Sequence, residues 1–283
     1  MSETVPRNTI LEADVLSLEA LMLARTYLYT MFHKVFGGEP TDELLDILGS
    51  PESIDAVDEY LYESRTLAEF KDTLEGLPTK KRGPGFLWRL EAEYTRLLIG
   101  PGSLPAPPWE SPYASNEPTL FQRNTLEVRG VYRGNGLRLK REGHAPDDHV
   151  SLMCCFMAHL SHVVLETIRE RQYEAAAETL RTQAAFLRNH MNGWLPSFAS
   201  NASSAKQAEF YPLMARALCV FAQEDASFAA EALAWLNDLP EGALPSSHAG
   251  ESCFDVVEQR LAQLESVRLA GLEDNELQRI ESE

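Results

Sequence analysis

What most narrows the fold of this chain is the pattern it lacks. No alternating run of β-branched residues extends beyond four positions, and no Asn-Gly turn sits between two such runs. Apolar residues recur instead at three- and four-residue steps, the spacing that lines one face of an α-helix. Between Val15 and Phe36 that face carries Leu18, Leu21, Met22, Arg25, Tyr29, Phe32 and Phe36, and Gly37-Gly38 stops it. The chain is therefore expected to be all-α, a helical bundle of roughly nine to ten helices, with no internal repeat at solenoid period.

Taken in order, residues 1–12 are polar and expected to fray. Thr41 caps a short helix that Gly49 stops. Ser50-Pro51 opens a longer helix with a break near Ser64, ended by Gly76-Leu77-Pro78. Pro84 to Ile99 reads as a helix through Leu87, Leu90, Tyr94, Leu97 and Leu98, closed by Gly100-Pro101. Another spans Pro118 to Tyr132, and Leu137–Lys140 is a short strand-like link. A strongly apolar helix from Val150 to Arg169 follows, with Asp147 or Asp148 in its first turn, where a carboxylate favours the helix dipole. Helices are expected over Tyr173–Met191, Ala205–Ala222 (kinked at Pro212) and Ala226–Leu239, with an aromatic turn at Trp194–Phe198. A hinge is expected near residues 200–205. Residues 1–240 then form one helical domain, and 241–283 an acidic extension with one amphipathic helix through Phe254, Val257, Leu261 and Leu264.

Charge excludes some partners. The 283 residues carry 25 Lys plus Arg against 43 Asp plus Glu, a formal net charge of −18. Such a field repels nucleic-acid phosphates and anionic lipid and favours a cationic partner. No basic stretch followed by an apolar run opens the sequence, so no signal peptide is expected. No uninterrupted apolar run reaches the length of about 18 residues that membrane insertion needs. Cys154, Cys155, Cys219 and Cys253 are a poor disulfide framework, which points to a reduced, cytoplasmic protein. A monomer is the default, and the hinge would permit a domain-swapped dimer.

Catalytic signatures are missing. The chain has no phosphate-binding loop, no dinucleotide-binding Gly-x-Gly-x-x-Gly and no nucleophile elbow. Cys155, His159, His162 and Glu166 stand at metal-like steps on one helix, but Met153, Phe156, Met157 and Val163 lie among them, and a buried core helix explains the pattern more simply. Asp147-Asp148-His149 has the residue types of an acid–base group, yet no nucleophile is near and the triplet also reads as a helix start. Neither metal nor cofactor is expected, nor catalysis. The unusual stretch is Tyr94 to Tyr113. After the helix end come five prolines between Pro101 and Pro112, with Trp109, Glu110, Ser111 and Tyr113 among them. A loop so stiff and so aromatic is docked on the body of the protein, where it can also line a groove.

Three motifs carry a resemblance. The run Tyr94-x-x-Leu97-Leu98-x-Gly100-Pro101, then Pro107-Pro108-Trp109-Glu110-Ser111-x-Tyr113, then Pro146-Asp147-Asp148-His149 resembles the TorD/DmsD family in order and spacing, from about Trp88 to Leu160. The later Phe186-Leu-x-x-His190-x-x-x-Trp194-Leu-Pro196-x-Phe198 is similar too. The resemblance implies a TorD-like helical fold and a cytoplasmic chaperone for molybdenum-containing reductases exported by the twin-arginine route. Such a chaperone binds the twin-arginine signal peptide and the apo-enzyme, aids cofactor insertion and delays export. By position it also implies that Tyr94, Leu97, Trp109, Asp148 and His149 serve signal-peptide binding. Ala145 stands where the family often has Glu, and Gly102 where some members have Trp, which bears on the choice of client.

Physical complementarity agrees with it. Two guanidinium groups followed by an apolar segment call for carboxylates beside an apolar groove. Asp147, Asp148 and Glu110 are the candidates for the charge and Tyr94, Leu97, Leu98, Trp109 and Tyr113 for the groove; Ser111, Pro146 and His149 complete the candidate client-binding set. The alternative for the same residues is architectural, with Asp148 capping a helix, His149 bonded to the loop and Trp109 in the core. Two rival functions stay open, an assembly factor that binds the mature part of a reductase subunit and a metal- or nucleotide-dependent enzyme.

Overall fold

The first long helix is the axle of the fold because its sequence gives it no exposed face over its second half. From Met22 to Gly37 every residue of α1 (Arg7–Gly37) is buried, including Arg25, Thr26, Thr30, His33 and Lys34. A helix apolar nearly all round must be enclosed by others. Its most extensive neighbour is α8 (Val150–Arg169), in which thirteen of twenty residues are buried. The computed structural model describes residues 7–61, 64–100, 102–114, 123–141, 143, 145–238, 254–270 and 276–280, with side chains from Asp14 onward.

Around this pair the remaining helices form one bundle. In chain order they are α2 (Asp42–Leu48), α3 (Pro51–Asp58), α4 (Arg65–Lys80), α5 (Phe86–Tyr94), the single turn α6 (Ser111–Ala114), α7 (Arg123–Gly134), α9 (Tyr173–Phe186), α10 (Leu195–Ser204), α11 (Phe210–Asn237) and α12 (Asp255–Ser266). The described residues thus hold twelve α-helices, two more than the upper sequence expectation, partly because α3 and α4 are separate and α6 is a single turn. Thr41 caps α2 and Ser64 caps α4, each accepting a backbone N–H with its hydroxyl oxygen. Two strands, β1 (Leu137–Leu139) and β2 (Leu277–Arg279), pair antiparallel with Leu139 opposite Leu277.

Several boundaries differ from the sequence reading. Helix α1 starts at Arg7, since no Gly or Pro interrupts 7–15. Helix α4 passes through Gly76-Leu77-Pro78 to Lys80, because a proline in the last turn forfeits one bond while Leu77 stays anchored in the core. The helix starting at Phe86 and the one starting at Tyr173 each end in a five-residue π-helical turn, Thr95–Ile99 and Leu187–Met191, closed by Gly100 N–H to the Thr95 carbonyl and Asn192 N–H to the Leu187 carbonyl. Trp194–Phe198 opens α10 instead of forming a turn, with Pro196 in the first turn, where its missing N–H costs nothing. One continuous helix, α11, runs from Phe210 to Asn237 where two helices were expected. Pro212 lies in its first turn and makes no kink, and the polar stretch that read as a break contains Asp225, buried by its partners on other helices. Residues 200–204, read as a hinge, lie in α10, with Ala202 fully buried. Of the expected 118–132 helix, the first five residues fall outside the described residues.

Helix α8 has the length and apolar composition of a membrane-crossing helix, which the sequence reading did not flag. In this fold its apolar side chains are spent on α1 and α9, as in the core helix of a globular bundle. Helix α12 packs against α1, α2 and α3, so the described part of the 241–283 extension lies on the bundle. Gly37-Gly38 permits this. A Cβ on Gly38 would meet the Leu269 backbone at 2.9 Å, and Glu39 N–H donates to the Ala270 carbonyl at 2.9 Å.

Candidate functional site

The proline-rich loop and the Pro146-Asp147-Asp148-His149 segment are laced together by their backbones. Val150 N–H donates to the Pro108 carbonyl at 2.8 Å and Glu110 N–H to the Asp148 carbonyl at 3.1 Å, with Trp109 and His149 facing each other as a short antiparallel bridge. Prolines cannot donate, so the loop is held by a proline carbonyl that accepts from Val150 and by the Glu110 N–H, both at the residues that open α8.

Asp148 is the knot. Fully buried, it accepts the Ser111 N–H at 2.9 Å, the Ser111 hydroxyl, and the Thr125 hydroxyl at 3.0 Å. It thereby joins the start of α6, the face of α7 and the lead-in to α8. Asp147, 1% exposed, is held by Arg129 in a two-pronged pair, Nη2 at 2.7 Å and Nε at 3.1 Å, while the Tyr132 hydroxyl donates to its carbonyl. Neither aspartate caps α8, contrary to the sequence expectation. His149 does, its Nδ1 accepting the Ser151 N–H at 3.2 Å. An accepting Nδ1 requires a neutral ring, and burial lowers the His149 pKa to about 4.

Glu110 is also buried and engaged, accepting from Asn124 Nδ2 at 3.1 Å and lying 3.3 Å from His190 Nδ1. Trp194 Nε1 donates to the His190 carbonyl at 2.6 Å, which brings the third sequence cluster to the first two. Tyr113 reaches back to the Pro107 carbonyl at 3.0 Å and its ring lies 5.4 Å from Trp194. The rings continue from Trp194 to Phe198 at 5.6 Å and from Phe198 to Phe36 at 5.8 Å, and the Tyr94 hydroxyl donates to the Phe36 carbonyl.

The sequence-selected residues therefore divide. Glu110, Ser111, Asp147, Asp148 and His149 come together as one latch, with Pro146 half-buried at its edge. Tyr94, Leu97 and Leu98 are buried on α5 and the following π turn, and Tyr94 is joined to the latch through the ring series. Trp109 and Tyr113 are half-buried and keep some surface. The three carboxylates expected to face a cationic ligand all have internal donors. Thr125, Arg129 and Tyr132 were overlooked, although their steps of four and three place them on one face of α7. Of the metal-like set, His162 is exposed, the Cys155 thiol is pushed by burial to about 11, and among the described residues no group of metal-binding side chains is assembled.

Asp148→Ala is expected to cost roughly 2–3 kcal/mol, because it strands three donors at a buried site. The loss should show first as faster hydrogen exchange at Ser111 and Val150, and only partly as a lower global melting temperature.

A family model described as nitrate reductase delta subunit matches residues 62–200, the span that contains the latch and, Phe36 apart, the ring series. Over that span the chain matches the TorD/DmsD family. Relatives in the family include the "Probable Tat proofreading chaperone DmsD" of Haemophilus influenzae, 27% identical over 131 residues, which are 46% of this chain and 57% of that one. The "Chaperone protein TorD" of Vibrio cholerae is 26% identical over 160 residues, 56% of this chain and 70% of that one. The chain thus spans a little over half of the DmsD relative. A solved protein of Archaeoglobus fulgidus assigned to redox enzyme maturation superposes with a TM-score of 0.41 at 21% identity, covering 70% of this chain and 93% of that one.

Proposed function

We propose that this TorD/DmsD-family protein is a redox-enzyme maturation chaperone. It acts in the cytoplasm, without catalysis of its own, on the twin-arginine signal peptide and apo form of a molybdenum-cofactor-containing oxidoreductase, aiding cofactor insertion and delaying export. The observation that carries this reading is the latch. A family member has invested buried carboxylates, a helix cap and a ring series in holding one proline-rich loop against the body, with Trp109 and Tyr113 left half-exposed. In this reading Glu110, Ser111, Asp147, Asp148 and His149 position the loop, and the two rings with Pro146 meet the apolar part of the peptide. The charge of −18 supplies long-range attraction for a cationic peptide.

Calorimetric titration with a synthetic twin-arginine signal peptide at two salt concentrations tests it. Saturable binding, weakened but not abolished by salt, is the expected result. Trp109→Ala should weaken it at least about tenfold, as loss of an aromatic anchor does, with helix content unchanged. A second reading is favoured by the internal pairing of all three latch carboxylates. With no unengaged carboxylate in the latch, the partner becomes the mature part of a reductase subunit. Failure to bind several twin-arginine peptides, together with binding to the apo-subunit lacking its signal, would establish that reading instead.

A further inference from the structure

The segment Glu276–Ile280 lies in a groove between α1, α8 and β1, and the groove has an electrostatic demand of its own. Lys34, on the axle helix, is 3% exposed, and among the described residues its one ion partner is Glu276, at 3.2 Å. A buried ammonium without an anion is strongly disfavoured, so this site is built to hold a carboxylate. Lys140 grips the other oxygen of the same carboxylate. Burial alone would raise the Glu276 pKa, but the bond from Lys140 and the field of Lys34 outweigh it and hold the group below its ordinary value.

The groove also offers a backbone edge. Lys140 N–H donates to the Glu276 carbonyl at 3.0 Å and Ile280 N–H to the Gly136 carbonyl at 2.8 Å, flanking the β1–β2 ladder. Leu277, opposite the buried Leu139, packs against the core. The occupant's recognition features are thus a carboxylate, a following leucine and an extended backbone. This is the strand-addition mode of peptide recognition.

The segment is held chiefly by its one carboxylate, and its strand adds little. It forms three paired residues in a two-stranded sheet, which is marginal by itself, and buries a single leucine only partly. Its ion pair with Lys140 is 41% exposed on the lysine side. The groove, by contrast, belongs to the most buried helices of the fold. A rigid acceptor whose occupant is held by one carboxylate and a short strand can exchange that occupant for another segment that offers the same groups.

We infer that the groove between α1, α8 and β1 is a peptide-binding site plugged by the chain's own Glu276–Ile280, and that it accepts an extended acidic segment of another polypeptide bearing Glu-Leu in the same register. The inference goes beyond the chaperone reading and does not depend on it. The site is separate from the loop that carries Trp109.

The probe is a fluorescein-labelled peptide of residues 274–283, followed by anisotropy. The full wild-type chain should show little binding at micromolar peptide, because the tethered copy competes at an effective concentration of about millimolar. The full-chain variant Glu276→Gln/Leu277→Ser should bind it saturably, at least tenfold more tightly than wild type. The probe peptide with Glu276→Lys should lose that binding, as should the variant on adding Lys34→Met. Equal, weak binding to wild type and a normally folded variant would overturn the inference. Should the variant fail to fold, a wild-type chain with a protease site placed between Ala270 and Glu276 decides it. Folded intact and then cut, that protein should exchange its segment for the labelled peptide. Cut protein that takes up no peptide overturns the proposal.

Discussion

Asp225→Ala is expected to destabilise the protein by about 3–5 kcal/mol, the cost of leaving a buried charge without its partner. In the native fold Asp225, fully buried on α11, receives Arg25 Nε at 2.6 Å and Nη2 at 2.9 Å. The hydroxyls of Tyr29 at 2.7 Å and Tyr60 at 3.1 Å complete its shell. Arg25 passes the contact on through Nη1 to Gln183 Oε1 at 3.0 Å, and Gln183 in turn donates to Ser161 on α8. One carboxylate therefore ties α1, α11, α9 and α8. Burial by itself would disfavour the Arg25 charge, and Asp225 more than restores it, so truncation leaves a guanidinium with nowhere to send its charge. At a sensitivity of roughly 2–4 °C per kcal/mol for a protein of this size, the melting temperature should fall by about 6–20 °C. The double variant Asp225→Leu/Arg25→Met removes both charges and should recover much of the loss, since an apolar pair of similar volume can match a buried ion pair. Urea melts of the two variants separate the outcomes. A loss under about 1 kcal/mol for Asp225→Ala would mean that water or relaxation replaces the partner.

The helical class was legible because amphipathic spacing is a local property, and α8 was read from Val150 to about Arg169, where it lies. Breaks were less legible because they depend on what lies opposite. The Ala222–Ala226 stretch looks polar enough to interrupt a helix, yet Asp225 is held in place by Arg25, some 200 positions earlier in the chain. Pro196 and Pro212 read as turn and kink, but each falls in a first helical turn, where proline is harmless. The partner strand for Leu137–Leu139 lies 140 positions downstream and has no strand signature of its own.

The site shows the same division. Motif spacing brought out Trp109, Glu110, Ser111, Asp148 and His149, and the fold joins them. Their roles were not legible, because a carboxylate in a sequence carries no sign of whether its donors are internal. Asp147 and Asp148 looked like ligands for an arriving cation until Arg129 and Thr125, on a helix of unremarkable composition, supplied their bonds. In the function proposed above the latch is scaffold for the half-exposed rings, which moves the test of specificity from the aspartates to Trp109 and Tyr113.

Acid is expected to loosen this protein well above the pH at which its carboxylates titrate. His149 caps α8 as a neutral ring with its pKa lowered by burial to about 4. His33, on α1, lies 3.0 Å from the Ser151 carbonyl, and burial followed by repulsion from Lys34 lowers it to about 3. Both titrate at the ordinary value of about 6.5 once unfolded, so between pH 6.5 and 4 the unfolded chain binds protons that the folded chain refuses. Stability is therefore full above about pH 6.5 and falls as pH drops toward 4. At about 1.4 kcal/mol per unit of separation the loss is on the order of 3 kcal/mol for His149 alone, with His33 adding in the same direction. Glu276, held below its ordinary pKa, acts with the same sign at lower pH. Urea midpoints at pH 7 and pH 4.5 measure the effect. His149→Asn keeps a good helix cap and should leave the pH 7 midpoint nearly unchanged while flattening the slope. Because Val150, whose N–H holds the Pro108 carbonyl, lies between His149 and the Ser151 it caps, protonating His149 is expected to loosen the loop and the helix start together. Exchange at Val150 should accelerate over the same pH window, after correction for its intrinsic pH dependence, and a wild-type midpoint that is flat from pH 7 to 4.5 would show that the buried rings are protonated without unfolding.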